Sequence, residues 1–227
     1  MTLRGISSMA TRLLLVDLCE AWQARGGAAV AMESVGGVDA AKRVAAGEAL
    51  DVVVLASDAI DKLAAAGHVL AGSRVDLVRS DVAIAVRAGA PAPDVSTEAA
   101  LRQVVLAAPS IGYSTGPSGT ALLKLFERWG IASEVQARVV QAPPGVPVGS
   151  MVARGDVAIG FQQRSELIHL EGIAIVGGMP PGAEITTVFS GAVCATSQQP
   201  GTVRELLAFM ADPATADAKR RQGMAPA

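Results

Sequence analysis

Ser114-Thr115-Gly116-Pro117-Ser118-Gly119-Thr120 is the stretch best equipped for chemistry in this chain of 227 residues. It follows a short apolar segment, Val104 to Ile111, and opens a helical pattern at Ala121-Leu122-Leu123-Lys124-Leu125-Phe126. Such a turn is an anion site in outline. The first amides of a helix lack partners, the macrodipole is positive there, and Ser and Thr hydroxyls add donors. Gly116 and Gly119 are expected to let a ligand approach the backbone, and Pro117 suits a first helical turn because its missing N–H would be unpaired anyway.

Three other turns have the same character: Ser7-Ser8, Gly36-Gly37 and Ser57-Asp58. The elements around them alternate. Strands are expected at a segment ending near Ile6 and at Val30–Glu33, Val52–Leu55 and Val75–Val86, then before Ser114, and at Val135–Gln141, Val157–Phe161 and Thr186–Cys194. Helices are expected at Ala10–Arg25, from Gly36-Gly37 to Ala46, from a Ser57 or Asp58 cap to Ala66, and at Thr97–Val105. Further helices close at Trp129-Gly130 and Arg154-Gly155, and a last one begins at Gly201–Met210. Alternation of this kind predicts an α/β fold with mainly parallel sheets. In such sheets ligands gather beyond the carboxyl ends of strands, so the four turns predict a site for a small anion built from helix starts.

Composition narrows the field. Hydrophobic residues make up 51% and charged ones 18%, with a net charge of −2 and 3% aromatics. That balance predicts no general affinity for nucleic acid or anionic membrane and no base-stacking platform. Leu13-Leu14-Leu15-Val16 is cut short by Asp17, so no membrane insertion is expected. Met1-Thr2-Leu3-Arg4 runs straight into Gly5-Ile6-Ser7-Ser8 without a secretory pattern. The sequence as written therefore reads as cytoplasmic, or as periplasmic if a leader was removed. Cys19 and Cys194 have no CxxC or Cys/His neighbour, so core thiols are expected, with no metal site and no cofactor.

Other chemistries fit less well. Gly112-Tyr113-Ser114-Thr115-Gly116 matches a G-x-S-x-G nucleophile elbow, but His68 and His169 are the only histidines and His169 follows Ser114 too soon. No Lys-Ser or Lys-Thr follows the glycines, which excludes a phosphate-binding P-loop. Gln162-Gln163, read as lying directly after a strand, would bind carboxylate oxygens without adding charge. Arg79 and Arg164 could pair with carboxylates, as could Lys42 or Arg43 at the second helix. A base for proton abstraction is not evident, with Asp58, Glu33 or an assisted Ser8 as candidates.

With the turns placed, the chain resembles the molybdate-binding family of periplasmic solute receptors. The resemblance is carried by Gly5-Ile6-Ser7-Ser8-Met9-Ala10, Ser34-Val35-Gly36-Gly37-Val38, Asp51 to Asp58, Arg154 to Phe161, and Leu207-Ala208-Phe209-Met210-Ala211-Asp212-Pro213. It implies a two-lobed type II periplasmic-binding-protein-like fold, each lobe a mainly parallel sheet flanked by helices, joined by two crossing hinge strands. Lobe I would comprise residues 1–81 and 190–227, lobe II residues 82–189, with the ligand cleft between them. Crossings are expected near Asp81-Val82-Ala83 and Phe189-Ser190-Gly191.

Receptors of that family hold an oxyanion with two serines, backbone amides and a tyrosine. The resemblance assigns the first serine to Ser7 or Ser8, but Val38 stands at the second serine's position and Phe161 at the tyrosine's. Two lost hydroxyls leave oxyanion lone pairs unpaired at about 1–3 kcal/mol each, which disfavours molybdate. The expected ligand contacts are Ser7, Ser8, Gly37, Val38, Ser57, Ser114, Thr115, Ser118, Gly119, Val146, Phe161, Gln162 and Gln163. The same lineage resembles a bacterial aconitate isomerase, which implies an enzyme moving an allylic proton on a small tricarboxylate. The alternative is a solute-binding protein, partnered by an ABC permease, of a molybdate-type importer.

Overall fold

The computed structural model describes residues 2–227. They form two compact units, residues 2–80 with 187–227, and Asp81–Thr186. The chain leaves the first unit within one long strand, Val75–Arg87 (β4), and returns at the start of another, Thr186–Val193 (β9).

The first unit is built on strands β1 (Leu3–Ser8), β2 (Val30–Val35) and β3 (Val52–Ala56). β1 lies between β2 and β3 and is parallel to both, with Ser8 opposite Val35 and Ser7 opposite Val54. β9 closes the other side of β3 in antiparallel register. β3 is buried along its whole length, and its period of two feeds two cores. Val52, Val54 and Ala56 face a cluster with Leu14, Leu15 and Leu18 of α1 (Arg12–Ala24) and Val203, Leu206 and Leu207 of α9 (Pro200–Ala211). Val53 and Leu55 face Ala40 and Val44 of α2 (Gly37–Ala45) and Ile60 and Leu63 of α3 (Ser57–Ala65). A continuous apolar run is what a strand covered on both faces requires.

In the second unit, β5 (Ile111–Tyr113) lies between β6 (Val139–Gln141) and β7 (Ile159–Gln163), all parallel. β4 pairs antiparallel with β7 and with β8 (Ile173–Gly178). Helices α4 (Glu98–Ala107) and α5 (Pro117–Arg128) cover one face through Leu101, Val105, Leu122 and Phe126. The other carries α7 (Val148–Arg154), seated on two strand glycines. A Cβ on Gly160 would lie 2.6 Å from Val152 and one on Gly112 would lie 3.0 Å from Val148, so glycine permits this close approach. α6 (Ala132–Val135) and α8 (Arg164–Leu167) are single turns, and α10 (Ala216–Arg221) and β10 (Ala225–Pro226) end the chain.

The structure differs from the sequence expectations in places. The expected strand Val135–Gln141 is helical at its start, with a helical turn at Gln136–Arg138, and only Val139–Gln141 pairs. Ala132-Ser133-Glu134 favours a helical turn after Gly130, which holds a positive φ of 69°, and this overrides the β-branched pattern. The strand expected from Val157 starts at Ile159 and runs through Gln163, so Gln162 and Gln163 belong to it. Ser57 and Asp58 do not cap α3; Ser57 is its first residue, and no side chain bonds to the first turn. Among the described residues, no helix is long and apolar enough to cross a membrane.

Candidate functional site

In the first unit, three neighbouring parallel strands end on one edge, and each end opens a helix: β1 at Ser8, β2 at Val35, β3 at Ala56. The helix after β1 begins as a tight turn, Met9–Thr11, that runs on into α1. Ser8 precedes it in extended conformation and its side chain caps nothing. Its hydroxyl is buried, with the residue 7% exposed, and has no hydrogen-bond partner. A buried unpaired hydroxyl costs about 1–3 kcal/mol, which makes it a group prepared for something the chain does not supply. Gly37 lies beside it: a Cβ there would sit 3.5 Å from the Ser8 Cβ.

Ser7 turns the other way. Its hydroxyl shares a 2.8 Å hydrogen bond with that of Ser34 and is fully buried, so it is committed to the sheet. Val38 is 51% exposed on the first turn of α2, and Ser57 is half-buried at the start of α3. The sequence candidates Ser8, Gly37, Val38 and Ser57 therefore share this edge, and Ser7 is removed from the ligand set.

The second unit repeats the arrangement. β5 ends at Tyr113, just before Ser114, β6 leads through Ala142–Pro147 into α7, and β7 leads through Gln163 into α8. Ser114 and Ser118 share a 3.0 Å hydroxyl–hydroxyl hydrogen bond, so one hydroxyl proton is already placed within the turn. Gly116 is the residue before α5, and a Cβ there would meet nothing within 4 Å. Gly119 is different: a Cβ would collide with the Ser114 carbonyl, so its role is to let α5 fold onto its own turn. Thr115 is exposed in the same turn.

Three further candidates change role. Phe161 faces the apolar core, with its ring edge-on to Phe126 at 6.4 Å, and does not stand on the ligand edge. Strand alternation decides this, since residues 159 and 161 point to the α5 face. The Val146 amide donates to the Pro143 carbonyl at 3.0 Å. Gln162 is spent internally: its Oε1 accepts from the Gly149 amide at 3.3 Å, and its Nε2 donates to Glu166 Oε1 at 2.9 Å. Gln163 is buried at the end of β7.

The charged candidates are mostly paired with one another. Asp58 is 61% exposed and lies 3.7 Å from Lys62. Glu33 takes both ends of the Arg43 guanidinium, at 2.7 and 2.8 Å, and Arg43 also donates to Glu48. That pairing holds the Glu33 carboxyl below its ordinary range. Lys42 lies 3.8 Å from Asp39, and Arg79 donates to the Pro226 carbonyl. Arg164 is exposed at the start of α8. Cys19 and Cys194 are free and buried, and burial raises their thiols to about 11 and about 12, so they stay protonated and inert.

Sequence reasoning missed Glu166. Burial raises its carboxyl from 4.5 to about 7, against the lowering effect of the Gln162 hydrogen bond. The available signal was Gln162 and Glu166 four residues apart across the end of a buried strand. Among the described residues, no group of three His, Cys, Asp or Glu side chains could hold a metal ion.

A family model of bacterial extracellular solute-binding proteins matches residues 3–225. An aconitate isomerase of Pseudomonas sp. is 43% identical over 185 residues, covering 81% of this chain and 70% of that protein. Among solved structures, the periplasmic molybdate-binding protein of Azotobacter vinelandii superposes with a TM-score of 0.81 at 19% identity, covering 98% of each chain. The sulfate-binding protein of Mycobacterium tuberculosis superposes with a TM-score of 0.81 at 18% identity, over 100% of this chain and 87% of that one. At such identities these two structures speak for the type II periplasmic-binding-protein fold alone. Matched over almost its entire described length, the chain belongs to the bacterial extracellular solute-binding protein family.

Proposed function

We propose that this chain binds a small polycarboxylate and interconverts cis- and trans-aconitate by moving an allylic proton. The observation that carries the ligand reading is the Ser8 hydroxyl, buried and without a partner beside Gly37 at the start of a helix. The aconitate isomerase relative supports the reaction. Ser8, Gly37, Val38 and Ser57 are the proposed ligand contacts of the first unit's edge; Ser114, Thr115, Ser118 and Gln163 are those proposed for the second unit's own edge. Helix starts and hydroxyls would hold the carboxylates without an arginine clamp, leaving a desolvated anion polarised by fixed dipoles.

The test is direct. Purified full-length chain is incubated with trans-aconitate and the products are separated by chromatography; conversion to cis-aconitate at a catalytic protein concentration is the expected result. Absence of conversion at high protein concentration, across pH 6 to 9, removes the enzyme reading.

A second reading is supported by the solute-binding family and by the molybdate- and sulfate-binding neighbours. In it the chain is a receptor that hands an oxyanion or carboxylate to an ABC permease. Thermal shifts with molybdate, sulfate and aconitate separate the two, since a ligand that binds only the folded chain raises its melting temperature in proportion to the logarithm of its concentration. A receptor for molybdate would respond to molybdate at micromolar concentration and leave aconitate unconverted.

A further inference from the structure

We propose that Glu166 is the catalytic base that removes the allylic proton, positioned by Gln162 from the start of α7; the assignment rests on the isomerase reading above. A 1,3-proton shift on aconitate needs one group that works twice. It first takes a proton from the CH2 carbon, whose C–H electron pair enters the allyl system and is shared with the carboxylates. The same group then returns a proton to the former vinyl carbon, which becomes the new CH2 as the double bond settles on the other side. One O–H bond forms and breaks in each cycle, and nothing is oxidised or reduced.

The structure restricts which carboxyl can do this. Asp58 and Glu33, the acidic residues that the sequence offers as bases, stand in solvent on surface ion pairs. The Arg43 hydrogen bonds hold the Glu33 carboxyl below its ordinary range, which weakens it as a base. Glu166 differs in place and in setting. It lies on α8, the turn that begins directly where β7 ends, on the edge of the second unit that also carries Ser114 and Thr115.

Its orientation is fixed by a chain of donors whose direction cannot reverse. The Gly149 amide can only donate, so the Gln162 carbonyl oxygen faces it and the Gln162 NH2 must face Glu166. Oε1 of Glu166 is thereby an acceptor in either protonation state, and the transferable proton belongs on the other oxygen. Glu166 as a residue is half-buried, unlike Gln162, which is sealed, and Gln162 anchors one of its two carboxyl oxygens.

The next residue in the chain is set in an apolar cluster. Leu167 packs with Ala83 and Ala85, with Leu170, Ile173 and Ile175 against them. The charges on the adjoining elements do not relieve the burial: Arg154 on α7 pairs with Asp156, while Arg164 and His169 are exposed. The Ser165 hydroxyl, next in the chain, is buried and has no hydrogen-bond partner. A carboxyl placed in this way titrates near neutrality, where a group must alternate between base and acid.

The experiment compares wild type, Glu166→Gln and Glu166→Asp in full-length chain, with trans-aconitate as substrate. Wild type is expected to convert it, with kcat falling on the acid side of about pH 7. Glu166→Gln should lower kcat by about 100- to 10,000-fold with KM changed less than about threefold, while circular dichroism stays native and the melting temperature does not fall. In D2O, wild type should place deuterium on the allylic carbon of recovered aconitate, and Glu166→Gln should not.

Glu166→Asp keeps the carboxyl but withdraws it by one carbon, so activity should be partial and should keep its acid limb. This variant decides the matter if Glu166→Gln does not fold. An active wild type whose Glu166→Gln variant keeps kcat within fivefold, or whose Glu166→Asp variant loses the acid limb, would overturn the assignment alone. A wild type inert towards aconitate overturns the isomerase reading, and this base with it.

Discussion

The two units present edges of the same design with opposite chemistry. On the first, the parallel strand ends at Ser8, Val35 and Ala56 open helices around an unpaired hydroxyl and a glycine, and the nearby charges cancel in surface pairs. On the second, the hydroxyls of Ser114 and Ser118 satisfy each other, and the unusual group is the Glu166 carboxyl, raised by burial. One edge offers donors awaiting acceptors. The other offers a proton acceptor whose affinity is tuned by burial. A fold that needs only helix starts to hold an anion gains a reaction by adding one buried acid on one side.

The largest effect expected from breaking this pattern is backbone packing at the second edge. Glycines 116 and 119 look equivalent in sequence, but only Gly119 presses on the Ser114 carbonyl. Gly119→Ala should cost about 2–3 kcal/mol of unfolding free energy through overpacking. Gly116→Ala should cost under about 1 kcal/mol, the ordinary preference at such a position. Denaturant titration of both variants checks this; equal losses would mean that the turn yields and that the contact is not what shapes the edge.

Next comes the titration of Glu166. Its folded carboxyl binds a proton up to about pH 7, whereas in the unfolded chain the proton leaves near 4.5. Between those values the folded state holds the extra proton, so this group lowers stability as pH rises through that window and adds a constant penalty above it. Glutamine cannot ionise. Glu166→Gln should match wild type below about pH 4.5 and exceed it above pH 7 by about 1–3 kcal/mol. Urea midpoints at pH 4.5 and pH 8 report the difference, and parallel curves at both would place the carboxyl in solvent.

The serine pair at the first edge sharpens the contrast on a smaller scale. Ser7→Ala orphans the Ser34 hydroxyl and should cost about 1 kcal/mol, with ligand affinity unchanged. Ser8→Ala removes an unpaired hydroxyl and should leave stability level or slightly raised, while weakening aconitate binding about 5- to 30-fold through one lost hydrogen bond. Calorimetric titration of both variants is the measurement. The reverse pattern would exchange their roles.

The alternating order of strands and helices was legible because β3, β5 and β7 are short apolar runs bounded by small residues, and period-two burial needs nothing else. The helix-start turns were legible for the same local reason. What the sequence did not disclose depends on neighbours distant along the chain. Ser7 and Ser8 are adjacent and alike, yet Ser34, 27 positions away, claims one and leaves the other. Phe161 stands one residue from Gln162, and only Phe126 reveals that it points to the core. Gln162 looked like a ligand contact until the Gly149 amide accounted for its oxygen. Glu166 resembled any helix acid, because the burial that raises its carboxyl comes with the tertiary fold and leaves no local pattern.

The smallest expected effect tests the comparison from its weak side. Asp58 begins a helix after a strand end, and sequence alone ranks it above Glu166 as a base. Its carboxylate is 61% exposed and its partner Lys62, four residues on, is 81% exposed. An exposed pair of this spacing contributes about half a kcal/mol or less, and salt screens it. Asp58→Asn should therefore shift the urea midpoint by no more than measurement error at 0.5 M salt, and should leave kcat for aconitate within about twofold. Asp58 and Glu166 differ in what surrounds the carboxyl, not in the carboxyl itself. A hundredfold loss of kcat in Asp58→Asn would place the reacting base on the first unit, and would mean that burial is not what selects the acid that works.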